Sequence, residues 1–522
     1  MMNHAIQHAD EIQSNDYRSI IDNTEAISQR TYTPSQLVIA QSKGIYHWTA
    51  EGRKLIDFSS GVLVSNLGHN PKKWFERFLS AMSWNSNEVQ QKEALSLKKI
   101  DLEEDFFKAV PFTAYNAITP VESLANQKLI ALLQKTKFGK NLQKILWAAS
   151  GSEGIQKALW AALAKNPERP IILATRFGFH GKKGLAGSVS GSESDPDRDP
   201  RVKFISFPLD ESSDISKRPN LYNWSKYIEE WEKLIDQHGN QIGIVITEPY
   251  LGGGGSFHPP KEFLQQLQSF CRKYNIVFIL DEVQSNFGRT GEMFAFEKYE
   301  LEPDLVVLGK GLGNGVPIAA VVGRADLLSA LHYGEGSDTW SGNPLGCAAV
   351  VATIDEFLTN RVLEKMKTPS EIIEKGLVEL KKYPFISAIR GEEGGMVWGI
   401  ECQDFGNRSA RDWANEIVLG CYRGICSSES HSDKIPSDKI LLSVEKKNPH
   451  DFGNGSENAN TEIKNFEEIK GIHLLGPLAG KVIRVSPPLI ISIQEAKFAI
   501  ELMHRIFESL LLKTRSNSDC SR

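Results

Sequence analysis

Short apolar runs rich in β-branched residues alternate with helix-like segments through the middle third of the chain. The runs are predicted strands at residues 144–149, 170–174, 243–247, 276–280, 305–308 and 318–322. Amphipathic segments with a helical period lie between several of them, for example at 152–164 and 261–274. Continuous apolar strands indicate a sheet that is covered on both faces. Their alternation with helices predicts an α/β domain with a mostly parallel sheet.

Weaker patterns on either side of this region predict a second, smaller unit. Residues 44–70 alternate polar and apolar positions around a turn at 51–53, which predicts a β-hairpin, and a helix is predicted at 74–82. Near the other end, a strand at 481–489 precedes an amphipathic helix at 493–512. Residues from about 421 to 470 are rich in Ser, Asn, Asp and Lys, which is typical of a polar surface insertion.

These patterns predict three ranges along the chain. Residues 1–74 form an N-terminal arm and part of a small domain, residues 75–345 form a large domain, and residues 346–522 complete the small domain and carry the insertion.

Composition excludes several classes of protein. The 522 residues carry a formal net charge of −5, which gives no electrostatic reason to expect a nucleic-acid or anionic-membrane partner. No stretch approaches the roughly 18 apolar residues of a membrane helix. Six scattered cysteines indicate a reducing cytoplasm rather than a disulfide framework. Cys421, Cys426 and His431 match no zinc spacing, so we interpret the two cysteines as free thiols in the insertion and predict no metal site.

Polar groups follow three consecutive strands of the predicted sheet. Glu248 follows the first strand, Asp281 ends the second, and Lys310 lies between two glycines after the third. Open α/β sheets bind ligands where parallel strands end. A desolvated carboxylate can keep a heteroaromatic nitrogen protonated, and a buried lysine can form a Schiff base with an aldehyde, which together meet the needs of pyridoxal phosphate. Taken alone, Asp281 is better interpreted as a strand cap and Lys310 as part of a solvated loop, since charged residues at strand ends are mostly exposed.

A strand-to-helix junction at residues 149–153 offers an anion site. Its sequence, Ala-Ser-Gly-Ser-Glu, places small residues where backbone N–H groups can converge on a phosphate at a helix N-terminus. The same residues could simply cap the helix. No GK[ST] follows, so the junction is not a Walker loop.

Longer motifs carry a family resemblance. They are VITEPYLGGGGS, IVFILDEVQSNFGRTGEMFAFE and PDLVVLGKGLGNGVPIAAVVG, supported by SGSEG, FHGKKG, SDTWSGNPLGCAA and VIRVSPPL. With them, the chain resembles the class III (ω-amino acid type) pyridoxal-phosphate-dependent aminotransferases, such as 4-aminobutyrate, ornithine and acetylornithine aminotransferases. The resemblance implies transferase fold type I, in which a large doubly wound, mostly parallel sheet domain is joined to a small α+β domain.

The resemblance also implies roles for individual residues. Lys310 matches the lysine that forms the Schiff base with pyridoxal 5′-phosphate and carries the proton, and Asp281 matches the partner of the pyridine nitrogen. Arg484 matches the arginine that binds a substrate carboxylate, and Glu248 is expected on the substrate side. The remaining matches contact the cofactor: Val283 and Phe179 on the two ring faces, Gln284 near the phenolic oxygen, and Gly151 and Ser152 at the phosphate. His180 and His69, inside family motifs, are expected to be structural.

Two further matches bear on assembly and substrate. Thr339 matches a threonine that reaches the phosphate of the neighbouring subunit, which implies a homodimer or dimer of dimers with shared active sites. Gly253 stands where many ω-amino-acid members have a glutamate that neutralises the substrate arginine. Gly154 and Thr49 are minor departures from the family pattern.

The predicted reaction is transamination from an ω-amino acid or related amine, of the 4-aminobutyrate or ornithine type, to a 2-oxo acid such as 2-oxoglutarate or pyruvate. Alternatives are an amine:pyruvate-type transaminase, because Gly253 replaces the gate glutamate, or an aminomutase or racemase on the same scaffold. A binding protein that keeps the fold without catalysis is a third possibility, and the retained lysine disfavours it.

Overall fold

The structure, a computed structural model, describes residues 6–29, 31–84, 108–115, 117–196, 198–218, 221–424 and 468–519. Its strands, numbered in chain order, are β1 (Gln41–Lys43), β2 (Tyr46–Trp48), β3 (Lys54–Asp57), β4 (Lys144–Ala148), β5 (Ile171–Thr175), β6 (Val202–Ile205), β7 (Ile242–Thr247), β8 (Val277–Glu282), β9 (Leu305–Leu308), β10 (Ala319–Gly323), β11 (Ile386–Gly391), β12 (Trp398–Cys402), β13 (Ile469–His473) and β14 (Val482–Val485).

The longer helices, numbered the same way, are α1 (Ile12–Thr24), α2 (Lys72–Ala81), α3 (Pro120–Lys135), α4 (Gly151–Lys165), α5 (Gly184–Ser188), α6 (Ser225–His238), α7 (Lys261–Lys273), α8 (Pro344–Thr359), α9 (Lys367–Glu379), α10 (Ala410–Arg423) and α11 (Ile493–Asp519). Single helical turns lie at Ala295–Lys298, Ala325–Leu328 and Val362–Lys365. Within the described ranges, no helix has the length and apolar character needed to cross a membrane.

Seven strands form one sheet in the order β4-β10-β9-β8-β7-β5-β6. All six strands predicted from apolar runs are present, which confirms the α/β prediction. Neighbouring strands from β9 to β6 are parallel, whereas β10 runs antiparallel to both β4 and β9. The sequence did not predict β6. Because β7, β8 and β9 are parallel, their carboxyl ends meet at one edge of the sheet.

Helices cover both faces of this sheet, and its strands β5, β7, β8, β9 and β10 are buried along their whole length. On β7, the side chains of Ile244 and Ile246 pack with α4, including Ile155, whereas Val245 lies in the core on the opposite face together with Leu267 of α7. Side chains of a strand alternate between faces, and here both faces are apolar. This arrangement explains why the strands read as continuous apolar runs rather than as alternating patterns.

Two smaller sheets are also present, and one of them combines segments from both ends of the chain. The predicted hairpin is confirmed: β1, β2 and β3 are antiparallel, and β13 joins them by pairing parallel to β3. The other sheet has the order β11-β12-β14. The predicted domain boundaries stay a prediction; residues 74 and 345 lie within α2 and α8.

The predicted start of the polar insertion, at about residue 421, is wrong. Cys421 was placed in the polar insertion, but it is fully buried in α10, on the same face as Ile417. The four-residue spacing of these side chains is that of an amphipathic helix, and the polar composition begins only after it. Cys426, His431 and residues 425–467 lie outside the described residues.

The packing between α7 and the sheet gives a stability prediction. We expect Leu267→Ala to lower the free energy of unfolding by about 2 to 5 kcal/mol, because Leu267 is fully buried and its removal leaves a cavity. Leu358→Ala on α8 is the matched control, since this leucine is 52% exposed and its loss should change stability by less than about 0.5 kcal/mol. Urea unfolding followed by circular dichroism measures both, and equal shifts would contradict the packing described here.

Candidate active site

A cavity of about 720 Å³ opens at the edge where β7, β8 and β9 end. The predicted site residues that line it are Gly151, Ser152, Phe179, Glu248, Asp281, Val283, Gln284, Lys310 and Arg484. Residues separated by more than 300 positions in the sequence are therefore brought to one site. Thr339 does not line this cavity; it is exposed elsewhere on the same chain.

The carboxylate of Asp281 is buried and is held at both oxygens. Oδ1 accepts a hydrogen bond of 2.9 Å from the backbone N–H of Val283, and Oδ2 lies 2.7 Å from Nδ1 of His180. Burial, which by itself would lower the pKa of the His180 imidazole, is outweighed by the hydrogen bond and negative charge of Asp281, so that this pKa is raised. The pair is therefore an imidazolium or N–H donor facing a carboxylate.

His180 is a site residue that the sequence reasoning missed. Its position in FHG, next to Phe179, led to a purely structural expectation. The structure instead places it in the cavity lining and in contact with Asp281. The sequence does contain a partial indication of this position. A histidine beside an aromatic residue that contacts a ligand can reach the same ligand or its partner.

Glu248 also lines the cavity, and its carboxylate holds part of the surrounding backbone in place. Its carboxylate accepts hydrogen bonds from the backbone N–H groups of Phe179, at 2.9 Å, and Gly252, at 3.2 Å. Burial, reinforced by the charge of Asp281, raises the pKa of Glu248 to about 7. These bonds fix the backbone at Phe179, whose side chain remains 49% exposed and faces the cavity.

Lys310 follows β9 in a left-handed backbone conformation, with φ of +45°. Such a conformation is unusual for a residue with a side chain, and it is maintained by neighbouring contacts such as the 3.1 Å bond from Asn286 Nδ2 to the carbonyl of Gly309. Burial lowers the pKa of the Lys310 amine, and the positive charge of Arg484 acts in the same direction. A larger fraction of the amine is therefore neutral and nucleophilic.

The N-terminus of α4 lines the cavity. Ser150, rather than Ser152, caps the helix by accepting a bond from the N–H of Glu153. The first-turn N–H groups at Gly151 and Ser152 have no partner within the helix, which favours an anion there. A Cβ at Gly151 would lie 2.7 Å from Val283 Cγ1, so only glycine permits this close approach.

Several buried polar atoms of the cavity wall lack a partner among the described residues. They include Oε1 of Gln284, Nε2 of His180 and Nε of Arg484. The hydroxyl of Tyr250, close enough to Arg484 to affect its electrostatics, is also unpaired there. Burial lowers the pKa of the Arg484 guanidinium, and it has no ion-pair partner in the described part of the chain. Unpaired buried groups of this kind indicate a polar ligand.

The cavity also receives residues that the sequence did not predict. They come from the N-terminal arm, from the turn after β3 and from the segment before β14: Thr31, Tyr32, Thr33, Val62, Val64, Leu475, Gly476 and Leu478. Val62 lies in a turn in which four consecutive residues, 60–63, have positive φ angles of 47° to 67°. No helix or strand period marks such segments, so pattern reasoning could not assign them to the site.

Comparison with known proteins agrees with this geometry. The chain is 29% identical over 440 residues to ornithine aminotransferase 1 of Staphylococcus aureus (strain Mu50), covering 83% of this chain and 96% of that protein. It is 28% identical over 379 residues to a probable 4-aminobutyrate aminotransferase of Bacillus subtilis (strain 168), covering 70% and 78%. An ornithine aminotransferase structure from Toxoplasma gondii, described with partial occupancy of pyridoxal phosphate at its active site, superimposes with a TM-score of 0.69 at 20% identity, covering 97% of each chain.

The residues of the cavity fit the cofactor that the family uses. The helix N-terminus suits a phosphate, the Asp281 carboxylate suits a protonated ring nitrogen, and the side-chain amide of Gln284 can donate an N–H to a ring oxygen. The family model for class III aminotransferases matches residues 104–507. The chain therefore belongs to the class III aminotransferase family of pyridoxal-phosphate-dependent enzymes with transferase fold type I.

Proposed function

We propose that the protein transfers an amino group from a carboxylate-bearing ω-amine, of the 4-aminobutyrate or ornithine type, to a 2-oxo acid such as 2-oxoglutarate or pyruvate. The observation that carries this proposal is the buried, unpaired guanidinium of Arg484 in the same cavity as Lys310. A planar guanidinium is well suited to bind a carboxylate with two hydrogen bonds. The relatives named above act on ornithine and 4-aminobutyrate by their names, which supports the same substrate class.

The residues that would hold the cofactor are distributed around the cavity. The N-terminus of α4, at Gly151 and Ser152, binds the phosphate, and Gln284 donates to the phenolic oxygen. The side chains of Val283 and Phe179 pack on the two faces of the ring. When bound, pyridoxal phosphate supplies an electrophilic aldehyde carbon and a ring that withdraws electrons from the carbon bearing the amine.

Lys310 and Asp281 divide the proton chemistry between them. Nζ of Lys310 would hold the cofactor covalently, and as a free amine it would accept a proton from the amine-bearing carbon of the substrate and later return it. Burial lowers the pKa of this amine, which increases the neutral fraction that can accept the proton. The Asp281 carboxylate, oriented by His180, holds the ring nitrogen protonated.

Gly253 supports a second candidate, an amine:pyruvate-type transaminase. The position has no side chain, and a Cβ there would lie 3.0 Å from Cβ of Phe179, so a gate glutamate would also require Phe179 to move. Without that glutamate, the positive charge of Arg484 remains when a simple amine occupies the cavity. A donor without a carboxylate then depends on contacts other than this arginine. An aminomutase or racemase remains the alternative of a different reaction class.

We also propose that the active site is shared between two subunits. Thr339 is exposed, and its backbone carbonyl accepts a 3.3 Å hydrogen bond from the hydroxyl of Thr113. The neighbouring Trp340 and the nearby Phe112 are 55% and 54% exposed, which is unusual for large apolar side chains and suits a subunit interface. A homodimer or dimer of dimers would cover them and bring Thr339 to the partner's phosphate. The cytoplasmic location stays a prediction.

Removing the amine of Lys310 tests the assignment of the cofactor lysine. We expect Lys310→Ala to lower turnover by at least about a thousandfold, because both the covalent attachment and the proton transfer are lost. The variant should also lose the visible absorption band of the attached cofactor while its circular dichroism is unchanged. Lys140→Ala, at an exposed position, is the control and should behave as wild type. Normal turnover of Lys310→Ala would contradict the assignment.

Replacing Arg484 tests the carboxylate site. We expect Arg484→Gln to lower kcat/KM for 4-aminobutyrate or ornithine by at least about thirtyfold, since a buried charge that binds the carboxylate is removed. The value for 1-phenylethylamine, which has no carboxylate, should change by less than about threefold. Arg505→Gln, on the exposed face of α11, is the control. Equal losses with both donors would show that Arg484 is structural.

The half-reaction identifies the donor and distinguishes the alternatives. We expect the absorption band of the bound cofactor to convert when wild-type holoenzyme receives 4-aminobutyrate or ornithine without any oxo acid, and to return after 2-oxoglutarate or pyruvate is added. Conversion by simple amines alone would favour the amine:pyruvate type. A product formed by isomerisation of the donor without consumption of an oxo acid would identify an aminomutase or racemase and overturn the proposal.

A further inference from the structure

A second cluster of chemically reactive side chains lies outside the cavity, between the N-terminal hairpin and the loop that follows it. It is centred on Asp57, which ends β3 and is fully buried. His47 of β2 and His69 of the following loop point their ring nitrogens at this carboxylate. One ligand atom from each of the three residues lies within 4.8 Å of the other two. From the sequence, His69 is expected to be structural and no metal site is predicted.

The hydrogen bonds of the cluster leave one nitrogen unused. Nε2 of His69 lies 2.7 Å from Oδ2 of Asp57, which is a hydrogen-bond distance. Nε2 of His47 lies 3.4 Å from the same oxygen and has no hydrogen-bond partner among the described residues, although the histidine is only 2% exposed. A buried ring nitrogen without a partner is costly, and a cation between His47 and Asp57 would satisfy it.

Groups around the cluster hold its ligand atoms in place. Oγ of Ser42 lies 2.7 Å from Nδ1 of His47, which directs the opposite nitrogen of the ring to Asp57. The backbone N–H and the hydroxyl of Ser59 both donate to Oδ1 of Asp57, at 2.7 and 2.6 Å, and leave Oδ2 facing the two histidines. Hydrogen bonds of this kind, here to the far sides of His47 and Asp57, are typical of metal sites.

We propose that His47, Asp57 and His69 bind a divalent transition-metal ion such as Zn²⁺. Two imidazoles and a carboxylate are a common ligand set for this class of ion. Tetrahedral zinc with ligand bonds of about 2.0 to 2.1 Å separates its ligand atoms by about 3.3 Å, close to the 3.4 Å between His47 and Asp57. The His69 contact would lengthen by about 0.6 Å as its proton is replaced by the ion.

A fourth donor lies nearby. His473, at the end of β13, is paired in register with Asp57 and its ring centre lies 5.6 Å from that of His47. Its Nδ1 is also buried and has no hydrogen-bond partner in the described ranges. The fourth position of the ion is therefore open to His473 or to water. A metal here would join the hairpin to β13 and to the turn at Ser60–Leu63, which contributes Val62 to the active-site cavity.

Metal content and affinity of the untagged holoenzyme test this site. After equilibration with Zn²⁺ and gel filtration, we expect about one ion per wild-type chain and a rise in apparent Tm of at least about 2 °C that a chelator reverses. Co²⁺ should give the absorption bands of a tetrahedral nitrogen and oxygen site between the bands of the cofactor and 700 nm. Metal content and Tm are independent of transaminase activity, so failure here would leave the proposed function untouched.

Variants separate this site from metal bound elsewhere. We expect His47→Gln and His69→Gln to lose the bound ion and the rise in Tm, whereas His332→Gln, which removes an exposed histidine, retains both. Ser42→Ala keeps every ligand and should fold normally, and we expect its Zn²⁺ affinity to fall by about 10- to 100-fold. Wild type that binds no Zn²⁺, or binds as much as the His47 and His69 variants, would overturn the proposal.

Discussion

Removing a carboxylate from water costs several kcal/mol unless hydrogen bonds replace its hydration, and Asp281 is buried at the end of β8. The N–H of Val283 and the ring of His180 supply those bonds, so the charge can persist inside the protein. The protonation of Lys310 and of Glu248 depends in part on the charge of Asp281. Its negative charge opposes the effect of burial on the Lys310 amine and adds to the raised pKa of Glu248. The parallel sheet places all three at one edge, where each affects the others.

Arg484, the residue proposed to bind the substrate carboxylate, comes from a different part of the fold. Arg484 lies on β14, which belongs to the small three-stranded sheet, whereas Asp281 lies on β8 of the seven-stranded sheet and Lys310 follows its strand β9. Under the proposed function, separate structural units would therefore carry substrate recognition and bond chemistry. Gly253 lies against Phe179, so that a Cβ at position 253 would be 3.0 Å from Cβ of Phe179. A side chain there would press on Phe179, whose neighbour His180 contacts Asp281.

The sequence predicted the parallel sheet and most of the cavity because both rest on local signals. Apolar runs reveal buried strands, and the residues after them, such as Glu248 and Lys310, must meet where those strands end. Contacts between distant segments carry no such signal. Neither the parallel pairing of β13 with β3 nor the convergence of His47 and His69 on Asp57 can be read from spacing alone. His180 was misjudged for a similar reason, since its partner is about a hundred positions away.

The antiparallel direction of β10 has a consequence for how Lys310 moves. Consecutive antiparallel strands need no crossover helix, so the connection from β9 to β10 is short and is anchored at both ends within one sheet. Asn286 holds it at Gly309, and Asn314 accepts a 3.0 Å hydrogen bond from the backbone of Leu67. These contacts restrict movement of the backbone around Lys310. The reach of its amine therefore comes mainly from rotations about the bonds of its four-carbon side chain rather than from movement of the connection.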